Sequence, residues 1–131
     1  MSDDIRLMRV YEAEGDGAPT EGRVFLVDRL WPRGVRKEAL HLDGWLKDAA
    51  PSPELRTWFG HDPAKWEEFS ARYEQELEGR PEAVGPIVSA LDEGPVTLLY
   101  AAKDTEHTHA LVLRDFVRSR RSGQGRDRGR G

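Results

Sequence analysis

The chain predicts a single α/β domain, with three or four strands in a partly parallel sheet and helices packed about it. Three observations carry that expectation. The run Val96-Thr-Leu-Leu-Tyr-Ala is continuously apolar and follows the Gly94-Pro95 stop, which marks a strand buried on both faces. Two shorter apolar runs, Ile5 to Tyr11 and Val24 to Asp28, read as further strands bounded by turn-forming residues. Three helical segments lie between Asp28 and Val96, the length of an α/β crossover, so those two strands are expected to be parallel. A chain of 131 residues fits one domain with a modest core.

Taken in order, the first two strands are joined by Glu12 to Gly22, too glycine-rich for a crossover helix. They are antiparallel if adjacent, and the orientation of the first strand stays open. The second strand ends abruptly in Val27-Asp-Arg-Leu-Trp-Pro-Arg-Gly. Leu40, Leu42, Trp45 and Leu46 then form an approximate helical stripe over Ala39 to Ala49, interrupted by Gly44. Ser52-Pro53-Glu54 supplies an N-cap, a proline at the first helical position and an acid in the first turn, and Gly60 closes that short helix. Asp62-Pro63 repeats the start signal, and Trp66, Phe69, Tyr73 and Leu77 fall on one helical face before Gly79. Val84, Ile87, Val88 and Leu91 form another stripe, with Gly85-Pro86 predicting a late start or a kink. The last helix, bearing Ala110, Leu113, Phe116 and Val117, is expected to begin within Lys103-Asp104-Thr105-Glu106, with Asp104 or Thr105 as its N-cap.

Composition sets the limits on function. There is no cysteine, which removes disulfides, thiolate nucleophiles and thiolate metal sites, and no run is long and apolar enough to predict a membrane span. The N-terminus is acidic where a secretory signal is basic and then apolar, so a cytoplasmic location is expected. The formal charge of −4 is uneven: residues 118–131 hold six arginines and one aspartate, net +5, which leaves −9 on residues 1–117. An acidic body is a poor duplex binder, so contact with nucleic acid is expected only through this tail. The tail has no apolar residue to bury and is expected to be disordered, with residues 1–117 forming the domain.

Several pieces of the chain resemble a known family when taken together. They are Val27-Asp-Arg-Leu-Trp-Pro-Arg-Gly, Trp45-Leu-Lys-Asp with Ala50-Pro-Ser, Trp58-Phe-Gly-His-Asp-Pro, and Leu98-Leu-Tyr-Ala-Ala-Lys-Asp with Glu106-His107. They resemble the YeaO-like branch of the uncharacterised proteins grouped as domain of unknown function 488. The resemblance implies a small α/β fold with a site at the strand ends, and no established reaction. Members of the wider family often carry a Cys at the end of the last strand and Cys-His-Arg at the start of the last helix. Here Tyr100 and Thr108-His109-Ala110 stand in those places. Cysteine-dependent chemistry therefore does not carry over. In the YeaO-like branch an Asn commonly follows the histidine matched by His107, where this chain has Thr108.

Strand ends are where α/β proteins place their chemistry. Asp28 and Arg29 form either the polar pair of a pocket or an ion pair that pins the loop. Arg33, held between Pro32 and Gly34, is a candidate ligand contact, and Trp31 serves as a packing residue or as the wall of a pocket. Lys103 stands beside a helix start whose free N–H groups suit an anion, although capping by Asp104 accounts for the same pattern. His107 near Asp104 is a candidate acid or base. His107 and His109 diverge by about 200° if both lie in the helix, so no metal site is expected. His61 reads as a turn histidine under Trp58. No phosphate loop, dinucleotide fingerprint or nucleophile elbow is present, and no cofactor is expected. The expected function is binding, or acting on, a phosphorylated or carboxylated small molecule. Arg29, Trp31, Arg33 and Lys103 would hold the ligand, and Asp28, Asp104 and His107 would handle protons. The alternative is a non-enzymatic interaction module that docks a protein partner through the Trp/Arg loop.

Overall fold

The computed structural model describes residues 4–14, 20 and 22–130, with side chains to Arg120. Four strands, β1 (Ile5–Arg9), β2 (Arg23–Leu26), β3 (Gly44–Trp45) and β4 (Val96–Tyr100), form a wholly parallel sheet in the order β1-β4-β2-β3. Helices α1 (Val10–Ala13), α2 (Pro53–Phe59), α3 (Trp66–Glu78), α4 (Gly85–Leu91) and α5 (His109–Arg130) complete the domain. β4 is an inner strand and all five of its residues are buried, as its unbroken apolar run predicts. The orientation of β1 is settled by its pairing: it runs parallel to β4 and has no ladder with β2. All four C-terminal strand ends therefore lie at one edge of the sheet.

The strand pleat sorts side chains onto two faces. Phe25, Val27, Leu98 and Tyr100 join the cluster built with α2 to α5, where Phe59, Phe69, Tyr73 and Leu77 are buried. Val24, Leu26 and Leu99 face the other way and meet Val35, Leu40, Trp31 and Trp45 from the segment after β2. Truncating a fully buried strand residue such as Leu98 to Ala would cost about 2–5 kcal/mol. The local signals for α2 and α3 act as read. The Ser52 hydroxyl accepts from the Leu55 amide at 3.1 Å, Asp62 accepts from Ala64, and Gly60 closes α2 with a left-handed φ of 55°. Gly85-Pro86 gives the late start: a 3-10 turn over Pro81–Val84 precedes α4.

Two expectations are corrected. The stripe over Ala39 to Ala49 does not form a helix. It makes a 3-10 turn (Lys37–Ala39), β3 and a second 3-10 turn (Lys47–Ala49). The open side of β2 takes its backbone instead, with Asp43 N–H donating to Val24 O at 2.7 Å and Leu46 N–H to Leu26 O at 2.8 Å. Gly44 permits this approach, because a Cβ there would sit 3.1 Å from the Phe25 ring. The last helix begins at His109, beyond the expected caps Asp104 and Thr105, since Asp104 caps its own turn and Thr108 Oγ1 accepts from Ala110 N–H at 3.3 Å. That helix is assigned as far as Arg130. No helix among the described residues is long and apolar enough to cross a membrane.

Candidate functional site

A cavity of about 360 Å³ opens at the strand ends, between the loop after β2, the Ala50-Pro51 turn and the start of α5. Asp28 sits on its floor one residue past Val27, whose N–H still donates to Leu99 O at 3.0 Å and so extends the ladder beyond β2. Asp28 Oδ2 accepts the Ala101 amide at 3.0 Å, which ties this carboxylate to the end of β4. Its Oδ1 is buried without a hydrogen-bond partner, with His109 Nε2 at 3.3 Å. That same Nε2 lies 2.9 Å from Val27 O, which can only accept, so Nε2 carries the proton and points it at the backbone.

Burial pushes the Asp28 carboxyl above the ordinary carboxylate value, against the charge of His109 and the Ala101 amide. Burial likewise pulls His109 below the usual imidazole value, against the attraction of Asp28 and the Val27 carbonyl. Both groups are thus driven toward their neutral forms. The Arg56 guanidinium is felt by both, favouring ionised Asp28 and neutral His109.

Around this floor stand three arginines. Arg29 is half-buried and donates Nε–H to Pro51 O at 3.3 Å; Arg33 and Arg56 are exposed, and all three line the cavity. None of the three has an ion-pair partner among the described residues. Trp31 lines the wall but is also built in: Nε1–H donates to Val35 O at 2.7 Å, and its ring meets Trp45 edge-on at 5.3 Å. Trp45 in turn donates to Asp28 O at 2.7 Å, and Tyr11 donates to Arg33 O at 3.1 Å. The loop conformation is therefore held from three directions.

The candidates after β4 fall elsewhere. Lys103 and Asp104 are exposed and neither lines the cavity. Asp104 accepts from its own turn and pairs with His107 Nδ1 at 2.8 Å, and that bond holds its carboxyl below the ordinary value. His107 packs edge-on to Trp66 and lines a smaller recess of about 80 Å³, which shares Pro51, Arg56, His61, Ala102 and His109 with the larger cavity. His61 is exposed with a positive φ of 59° and lines both spaces. His107 and His109 serve different partners, and among the described residues no group of three or more His, Asp or Glu is placed to hold a metal ion.

Sequence reasoning missed Arg56, which no local signal sets apart from other helix arginines. It also considered His109 only as a metal ligand beside His107.

Comparison with known proteins now adds the lineage. Residues 4–130 match the family described as the inactive DUF488-N3 subclade. The chain belongs to that family. An uncharacterised protein of Escherichia coli K12, YeaO, is 40% identical over 116 residues, covering 88% of this chain and 98% of the relative. An uncharacterised protein of Mycobacterium tuberculosis H37Rv is 38% identical over 116 residues, covering 88% and 95%. No solved structure matches. The resemblance read from the β2 loop, Trp58 to Pro63 and the β4 end is thereby shown.

Proposed function

We propose that the strand-end cavity binds a small phosphorylated or carboxylated molecule. The observation that carries this reading is that Arg29, Arg33 and Arg56 line one concave space and that none of them has a carboxylate within ion-pair distance among the described residues. Unpaired guanidiniums at the mouth of a cavity raise the local concentration of anions and offer forked donors to phosphate or carboxylate. The subclade is described as inactive, which favours binding over turnover. Asp28 and His109, each hydrogen-bonded to a backbone partner, act in this reading as a recognition floor.

Calorimetric titration with inorganic phosphate and simple carboxylates tests the proposal. Arg29→Ala and Arg56→Ala should each weaken binding by about tenfold or more, since hydrogen bonds to charged groups contribute about 1.5–3 kcal/mol. Both should leave the melting temperature near that of the parent. Variants that unfold while the parent binds no anion would make these arginines architectural.

The alternative, an interaction module, draws on Leu30, which is 65% exposed between two cavity-lining residues. Its apolar contact would be Leu30, with Tyr11 exposed on the lining of the same cavity, since Trp31 is committed to Val35 and Trp45.

A further inference from the structure

We infer that the ligand of this cavity carries, besides its anionic group, an N–H donor directed at Asp28. The inference rests on the anion reading above and narrows it to one chemical class: small anions that also bear an amine, ammonium or ring-amino N–H. Asp28 has one oxygen committed and one not. Oδ2 holds the Ala101 amide, while Oδ1 is enclosed with no hydrogen-bond partner. A buried acceptor left unmatched is costly and rare, and one on a cavity floor is matched by whatever enters.

The neighbouring groups do not fill that role. His109 Nε2 is 3.3 Å from Oδ1, but its single proton in the neutral ring points to Val27 O at 2.9 Å. The alternative, a proton on Asp28 donated to Nε2, would set an imidazole lone pair against the Val27 carbonyl oxygen, which is repulsive. Among the lining arginines, Arg33 and Arg56 are exposed and Arg29 is anchored on Pro51 O. Because Oδ1 is enclosed, a donor meets it through a small rotation about the broad χ2 torsion, which moves both carboxylate oxygens together and lengthens the Oδ2 bond to the Ala101 amide. The site thus reads a molecule at two ends, anion at the arginine rim and N–H donor at the floor. A volume of about 360 Å³ leaves room for both on one small ligand.

Two ligand pairs, each differing only in the donor, test this on the full chain. Phosphoethanolamine against ethyl phosphate probes an ammonium donor; adenosine monophosphate against purine riboside monophosphate probes a planar ring-amino donor. In at least one pair the N–H-bearing member should bind about tenfold tighter or more. In Asp28→Asn the Ala101 amide claims the side-chain carbonyl and turns the NH₂ toward the ligand, donor against donor, so the preference should vanish while the anion still binds. The Asp28 side-chain carboxyl NMR resonance of the parent should also move with the N–H-bearing member and not with its partner, a readout that needs no variant.

Equal affinity within both pairs, or a preference that survives Asp28→Asn, overturns the inference and leaves the anion reading standing. No binding by any pair member or by inorganic phosphate overturns both.

Discussion

The loops after β2 and β4 look alike in the sequence: each leaves a strand end with an acid beside a base, Asp28-Arg29 in one and Lys103-Asp104 in the other. In the structure they are opposites. Asp28 is bound to a backbone amide 73 residues away, shielded from water and set against a histidine from another element. Asp104 closes hydrogen bonds to residues two and three positions on and stays in solvent. The difference teaches where a polar pair becomes a site. Local partners satisfy a group completely and leave nothing to offer a ligand. Long-range partners hold a group in place, desolvate it and leave part of its valence unmatched.

The largest contrast is expected in stability. Asp28→Ala strips the partly buried Ala101 amide of its acceptor, a loss of about 1–3 kcal/mol. Relief of carboxylate desolvation offsets part of this, but the orphaned amide remains. Urea denaturation of Asp28→Ala and Asp104→Ala side by side measures the difference, and the Asp104 variant should shift far less. Equal shifts would erase the distinction between the loops.

A second test separates them by pH. His109 takes up its proton at lower pH in the folded chain than in the unfolded one, so its contribution to stability is complete above 6.5 and is lost as pH falls through the folded value. Asp104, also lowered, contributes above 3.8 and loses that contribution as pH falls through its folded value, in a separate and more acid window. Asp28 has the opposite sign: raised by burial, its contribution is complete below 3.8 and is lost as pH rises through the folded value. Stability of the parent should therefore decline on acidification below 6.5 more steeply than that of His109→Gln, whose amide can still donate to Val27 O. Denaturation curves between about pH 5 and 7 check this. Parallel profiles would place His109 outside the buried pair.

How far the chain could be read in advance follows the same division. Caps, proline starts and helical stripes are local, and Ser52, Asp62 and the Phe69–Tyr73–Leu77 face behaved as written. The continuous apolar run of β4 announced an inner strand, and the parallel β2–β4 pair followed from the crossover length. Ala39 to Ala49 misled because its stripe is real but its backbone is claimed by β2, a partner that helical periodicity does not reveal. The start of α5 was misplaced for a smaller reason: Asp104 and Thr108 are both competent caps, and only the extra turn between them decides which one heads the helix. At the site, Asp28, Arg29, Trp31 and Arg33 were visible because one short motif carries them all. Arg56 and His109 come from α2 and α5 and join that motif only through tertiary packing.

The smallest effect is expected at Lys103, which sequence reasoning joined to Arg29 in a single anion site. Both follow strands whose ends share an edge, yet Lys103 is exposed and absent from the cavity lining, whereas Arg29 lines it and is anchored on Pro51 O. A solvated charge acts on a ligand only through the screened field, and at physiological salt that field decays within about 8 Å. Lys103→Ala should therefore weaken phosphate binding by less than about twofold, with the loss disappearing at higher salt, while Arg29→Ala weakens it at every salt concentration because a directed hydrogen bond is removed. Titrations of the two variants at low and high ionic strength make the comparison. A loss at Lys103 that matches Arg29 and persists in salt would mean that the β4 loop closes onto the ligand, and the two loops would then be one site.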